Sequence, residues 1–127
     1  EDFASSSNER LESYLAMFGG YTSYYEAEVA KRESTLFALQ AAYDDGTARA
    51  MNRIAKAREE EGKKKPTREE LKGEVLESYP QLWELRKDVI ENEAAVIETR
   101  GTLKAYDKAY AAVSRVVGLR TMGDRQR

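Results

Sequence analysis

The sequence predicts an all-α protein, a long antiparallel helical hairpin of coiled-coil character, kinked near Gly46 and Pro80 and expected to oligomerise. Three observations lead there. Ala, Glu, Lys, Leu and Arg supply 65 of the 127 residues, whereas Leu, Ile, Val and Phe supply only 23. That mixture favours long helices that bury a narrow seam over a wide core. The charges balance, with 21 Lys and Arg against 23 Asp and Glu for a net charge of -2, so the sparse apolar content does not signal a self-repelling disordered chain. Finally, the apolar residues recur in alternating steps of four and three, the spacing of a helix with one buried stripe.

The first helix is read over about residues 9–60. Its stripe runs Leu11, Leu15, Phe18, Thr22, Tyr25, Val29, Arg32, Leu36, Leu39, Tyr43, with eight of the ten positions apolar or aromatic. Breaks are expected near Gly19-Gly20, because each glycine costs about 1 kcal/mol relative to alanine in a helix interior. A second break is expected at Asp44-Asp45-Gly46, a turn signal. Helical spacing resumes through Ala50, Ile54 and Ala57.

Residues 61–67 read as a basic loop. Gly62 is a natural helix terminator, and Pro66 drives Lys65 away from helical angles. Thr67 with Glu70 then forms a capping box that opens the second helix, over about 68–118. Its stripe runs Leu71, Val75, Ser78, Leu82, Leu85, Val89, Asn92, Val96, Thr99, Leu103, Tyr106, Tyr110, Val113, Val117, and eleven of these fourteen positions match. Pro80 interrupts this helix in its first third. Asn92 and Thr99 read as polar residues that set the register.

Antiparallel pairing of Leu11 with Val117 sets every other pair. Ala57 falls opposite Leu71, and Gly46 falls opposite Leu82, close to Pro80. Two breaks at one level predict a joint kink in a single domain spanning residues 1–127. The hairpin has arms of about 47 residues, roughly 70 Å at 1.5 Å per residue. Two helices bury one seam, which is little for a monomer. Leu76, Trp83, Ile90, Ile97, Val116 and Leu119 lie beside that seam and are the expected oligomer interface.

Absent residue types exclude whole classes of chemistry. With no cysteine and no histidine there is no disulfide framework, no thiolate nucleophile, no Ser-His triad and no Cys- or His-ligated metal. No catalytic residue, metal or cofactor is therefore expected, and the chain does not read as an enzyme. No run of 18 apolar residues could span a membrane. The sequence opens on Glu1 rather than Met, which leaves room for residues ahead of it; nothing argues for a removed signal peptide. Glu70, Glu74 and Glu77 share a helix face, as do Glu84, Asp88 and Glu91; both sets read as solvated acidic faces.

The basic residues are the better functional candidates. Lys56, Arg58, Lys63, Lys64, Lys65, Arg68 and Lys72 gather at the hairpin tip, and Arg100, Lys104 and Lys108 form a stripe on the second helix. Such concentrations attract nucleic-acid phosphates even when the whole chain is slightly acidic. The plainer reading is a solvated loop offset by Glu59, Glu60, Glu61, Glu69 and Glu70. Four of the eight tyrosines, Tyr25, Tyr43, Tyr106 and Tyr110, fall on the seam. Tyr21 and Tyr24 fall off it and are candidates to stack on exposed bases.

Over about residues 24–120 the chain resembles the phage recombination mediators of the UvsY type. The resemblance is carried by a long first helix ending in Leu36-Phe37-Ala38-Leu39-Gln40-Ala41-Ala42-Tyr43-Asp44-Asp45-Gly46 and by the charged linker after it. It continues in a second helix running through Glu98-Thr99-Arg100-Gly101-Thr102-Leu103 to Ser114-Arg115-Val116-Val117-Gly118-Leu119-Arg120. What it implies is a ring-like homo-oligomer that binds single-stranded DNA. It further implies that the protein assists a recombinase in loading onto DNA coated with single-strand-binding protein, with no catalysis of its own, in the host cytoplasm if phage-encoded. The alternative reading is a non-enzymatic coiled-coil structural or adaptor protein, virion-associated or a secreted effector, with a protein as its partner.

Overall fold

The computed structural model describes residues 2–125 and is all-α. A 3-10 turn at Phe3–Ser5 precedes α1 (Asn8–Glu60), α2 (Arg68–Ser78) and α3 (Pro80–Arg125). Within what the sequence reads as one helical domain, contacts gather into two compact units. One joins Glu1–Lys31 to Val96–Arg127, and the other is Arg32–Ala95.

The helix ends follow their local chemistry. Ser7 caps α1, its Oγ accepting from the Arg10 N–H at 3.2 Å and its carbonyl accepting from the Leu11 N–H at 2.9 Å. At the other end Gly62 adopts φ +72°, which an L side chain tolerates poorly. Lys63 N–H then donates to Arg58 O and Gly62 N–H to Glu59 O, each at 3.0 Å, the paired bonds of a Schellman closure. The Thr67–Glu70 capping box forms in both directions, so α2 starts where the sequence indicates.

Two expected breaks in α1 are absent, because the helix runs unbroken through Gly19-Gly20 and through residues 44–46. The aspartates that resemble a turn are engaged along the helix instead. Asp44 accepts from Gln40 Nε2 at 3.0 Å, and Asp45 pairs with Arg49 at 3.2 Å, both one turn apart. Gly46 serves packing: a Cβ there would lie 2.7 Å from Leu82 Cδ2, so its absence lets α3 approach α1. The joint kink at Gly46 and Pro80 thus reduces to one break at Tyr79, and the expected second helix is two helices. Tyr79 leaves helical angles at φ -125°, ψ 81°, as the residue before a proline tends to, and Pro80 occupies the first position of α3.

In the second unit, Ala50, Val75 and Leu82 form a buried cluster, with Met51, Ile54 and Tyr79 packed against it. The buried residues of the first unit are Leu11, Val96, Val113 and the polar Thr99. Each of the buried residues Leu11, Val75, Leu82, Val96, Thr99 and Val113 stands on the heptad stripe, and Ala50 belongs to the helical spacing that follows it. Pairing agrees with the antiparallel register inside each unit. In the first, the Tyr110 ring sits against Gly19, and Arg120 hydrogen-bonds Asn8; in the second, Leu82 meets Gly46.

The N-terminal segment is fastened to α3 by one side chain. Arg120 donates to Asn8 Oδ1 at 2.7 Å, to Ala4 O at 2.9 Å and to Ser6 O at 2.6 Å. A guanidinium suits this, since its fan of fixed donors reaches several acceptors at once. Among the described residues, no helix is long and apolar enough to cross a membrane.

Candidate nucleic-acid interface

The ten basic candidates divide between the two units. Lys56, Arg58, Lys63, Lys64, Lys65, Arg68 and Lys72 belong to the second unit, and Arg100, Lys104 and Lys108 to the first. All are exposed except Arg58, which is half-buried.

At the tip, counting charges overstates what is available. Arg58 forms an ion pair with Glu74 of α2, bracing the two helices beside the loop. Lys63 pairs with Glu61 at 3.0 Å. Both are engaged at home, and a phosphate would have to compete for them. Lys64 and Lys65 stand exposed in the extended stretch before Thr67, so the loop presents its charge mainly through these two. In the first unit, Lys104 and Lys108 are exposed one turn apart on α3.

Three carboxylates of the acidic faces have structural partners. Glu70 closes the capping box, Glu74 holds Arg58, and Glu84 takes Lys87 at 3.3 Å. Among the described residues, no group of three acidic side chains is arranged to hold a metal ion.

The tyrosines build the most distinctive surface of the first unit. Phe3, Tyr14, Phe18, Tyr21, Tyr25 and Tyr106 form a continuous aromatic run, with Tyr25 stacked on Tyr106 at 5.5 Å and Tyr21 at 4.9 Å from the same ring. Tyr24 meets Tyr25 edge-on at 5.1 Å and is 58% exposed. Tyr21 and Tyr24, the two off-seam candidates, line a hollow of about 610 Å³ together with Tyr25 and Tyr106. Tyr110, placed on the seam by its spacing, keeps 41% of its surface exposed while its ring sits against Gly19.

Asn92 does not bridge helices through its amide, which donates back to Asp88 O at 2.8 Å on its own helix. Of the six expected interface residues, Leu76 and Val116 are half-buried while Trp83, Ile90, Ile97 and Leu119 are exposed. Ile97 is 69% exposed and Leu119 63%. Phe37 on α1 is also exposed and is missing from the sequence-derived set. Its position one residue after seam residue Leu36 is the signal that could have found it.

A second basic feature lies outside the heptad reasoning. Arg86 of α3 places its guanidinium 5.7 Å from the centre of the Tyr43 ring, beside a cleft that Arg68 and Lys72 also line. The antiparallel register puts Leu85 opposite Tyr43, so the arginine next to it was within reach of the sequence. Comparison with protein-family models, curated proteins and solved structures finds no match.

Proposed function

We propose that this chain is a non-enzymatic accessory protein that binds single-stranded DNA as a homo-oligomer in the cytoplasm. In this reading it assists recombinase loading in the manner of the phage mediators it resembles, with the recombinase and single-strand-binding protein as further partners. The observation that carries the reading is the exposed tyrosine surface of Tyr21 and Tyr24 beside Tyr25 and Tyr106. Aromatic faces accept any base, which suits binding without sequence preference. Lys104 and Lys108 on the same unit and Lys64 and Lys65 on the other offer the phosphate contacts such binding needs. Individually weak contacts add by avidity when several subunits hold one strand.

Titrating a labelled single-stranded oligonucleotide at several salt concentrations tests this. Replacing Lys63, Lys64 and Lys65 with alanine is expected to weaken binding and flatten the salt slope by up to about 2, at roughly 0.7 per phosphate contact on a single strand. Arg100, Lys104 and Lys108 replaced together are expected to act in the same sense. Tyr24→Ala is expected to weaken binding about tenfold with the salt slope unchanged, since stacking is worth about 1–3 kcal/mol per base. A parent protein that does not bind sinks the reading.

A coiled-coil adaptor is the second reading, favoured by the exposed Trp83, Ile90, Ile97 and Leu119. Both readings call for these residues to be covered. Light scattering at micromolar concentration is expected to give a multimer that Ile90→Glu together with Ile97→Glu dissociates. A monomeric parent would remove the homo-oligomer and leave a different protein as the cover.

A further inference from the structure

In the second unit, α1, α2 and α3 enclose a cleft of about 640 Å³ whose rim and floor differ in chemistry. Arg68 and Lys72, one turn apart on α2, and Arg86 on α3 bring three cations to it. Among the described residues none of the three takes part in an ion pair, unlike Arg58 and Lys63 nearby. Stacking on the Tyr43 ring holds the Arg86 guanidinium over a fixed face, which reduces the ordering cost of meeting an anion. The apolar part of the lining that a ligand could touch is Ala48, Met51 and Leu76, laid over the buried Val75. One carboxylate also lines the cleft, Asp44, engaged by the Gln40 amide at 3.0 Å. Thr47 of α1 also lines the cleft.

We propose that this cleft binds a nucleoside phosphate, its phosphate on Arg68, Lys72 and Arg86 and its base against the apolar floor. Cations alone would suit any anion, but the apolar floor and the volume exceed what a bare phosphate uses. Roughly 300–1,000 Å³ is the range of pockets that enclose a small organic ligand. Gln40 and Asp44, bonded to each other, retain a second amide hydrogen and a second carboxylate oxygen that a base edge can meet. Such a ligand has two sources, a free mononucleotide or one unit of a single strand. Only the second rests on the DNA-binding reading.

Calorimetric titration with adenosine 5′-monophosphate, inorganic phosphate and a single-stranded oligonucleotide separates these cases. The mononucleotide is expected to bind at least tenfold tighter than inorganic phosphate, and Arg86→Gln is expected to weaken it at least tenfold. Lys72→Gln, which disturbs no ring contact or ion pair, is expected to weaken it about fivefold and guards against misfolding of the Arg86 variant. Arg53→Gln, an exposed arginine of α1 that does not line the cleft, is expected to change nothing. Mononucleotide binding that is absent, or unchanged in both cleft variants, overturns the cleft even if the oligonucleotide binds. Should the mononucleotide bind and the oligonucleotide not, the cleft stands and the DNA-binding reading falls. An oligonucleotide weakened by Arg86→Gln puts the cleft on the strand's path.

Discussion

Replacing Gly46 with valine is expected to lower stability by about 2 kcal/mol, although valine is the better helix former. A Cβ at this position would stand 2.7 Å from Leu82 Cδ2, well inside contact distance, and valine adds two methyl groups beyond it. Leu82 is buried with Ala50 and Val75, so its side chain has little room to withdraw. Helix propensity acts in the opposite direction by only about 0.5 kcal/mol, so overpacking decides the sign. Leu82→Ala removes the atoms that collide, and in that background Gly46→Val is expected to be neutral or stabilising. The coupling between the two sites would then be about 2 kcal/mol, as for residues in direct contact. Gly20 provides the contrast: nothing lies within 4 Å of a Cβ built there, so Gly20→Ala is expected to raise stability by about 1 kcal/mol. Urea denaturation of the four proteins in the cycle, with Gly20→Ala alongside, measures all of this. A Gly46→Val protein as stable as its parent would mean that Leu82 does not press on that turn.

Gly46 also marks where the residues stop being legible as a string. Read locally, Asp44-Asp45-Gly46 is a turn, and a glycine pair at residues 19–20 is a weak point in a helix. Neither reading includes the neighbours that decide the outcome, namely Gln40 and Arg49 one turn away and Leu82 on another helix. Signals that depend on adjacent residues alone survived intact. The Thr67–Glu70 box and the terminating Gly62 need no knowledge of distant contacts. The heptad stripe survived because burial against one partner imposes one period, and Leu11, Val75, Val89, Val96 and Val113 all carry it.

The site was less legible for a related reason. Charge can be counted along a sequence, but its availability depends on where the opposite charges fold. Arg58 counts the same as Lys64 in the string, yet Glu74 engages the first and leaves the second to solvent. Arg86 counts as one more surface cation until Tyr43 comes beneath it and Arg68 and Lys72 join it around one cleft. Tyr24 is legible because a residue off the stripe tends to point away from the seam, which is a statement about period alone; Tyr21, also off it, keeps 42% of its surface exposed while its ring turns back onto Tyr106.

Leu11→Ala is expected to be the most destabilising single truncation, costing about 3 kcal/mol. Leu11 is 1% exposed and stands in the first turn of α1, where helices ordinarily fray. The 3-10 turn at Phe3–Ser5 precedes that end. Arg120 fastens the segment by three hydrogen bonds, and Phe3 lies edge-on to Tyr14 at 5.5 Å and Phe18 at 6.1 Å. Truncation removes the leucine's burial and leaves a cavity that this fastened surround cannot readily close. The first unit has few fully buried side chains, so losing one is a large fraction of its core. The half-buried Leu15 provides a graded comparison, with Leu15→Ala expected to cost about half as much. Tyr24→Ala, on the exposed face, is expected to lie within about 0.5 kcal/mol of the parent, which separates a binding defect from a folding one. With a urea slope of about 2 kcal/mol per molar, the Leu11→Ala midpoint should fall by about 1.5 M at unchanged slope. A shift below about 0.5 M would mean that the N-terminal segment does not hold α1 against α3. Arg120→Ala would then also be expected to have no effect.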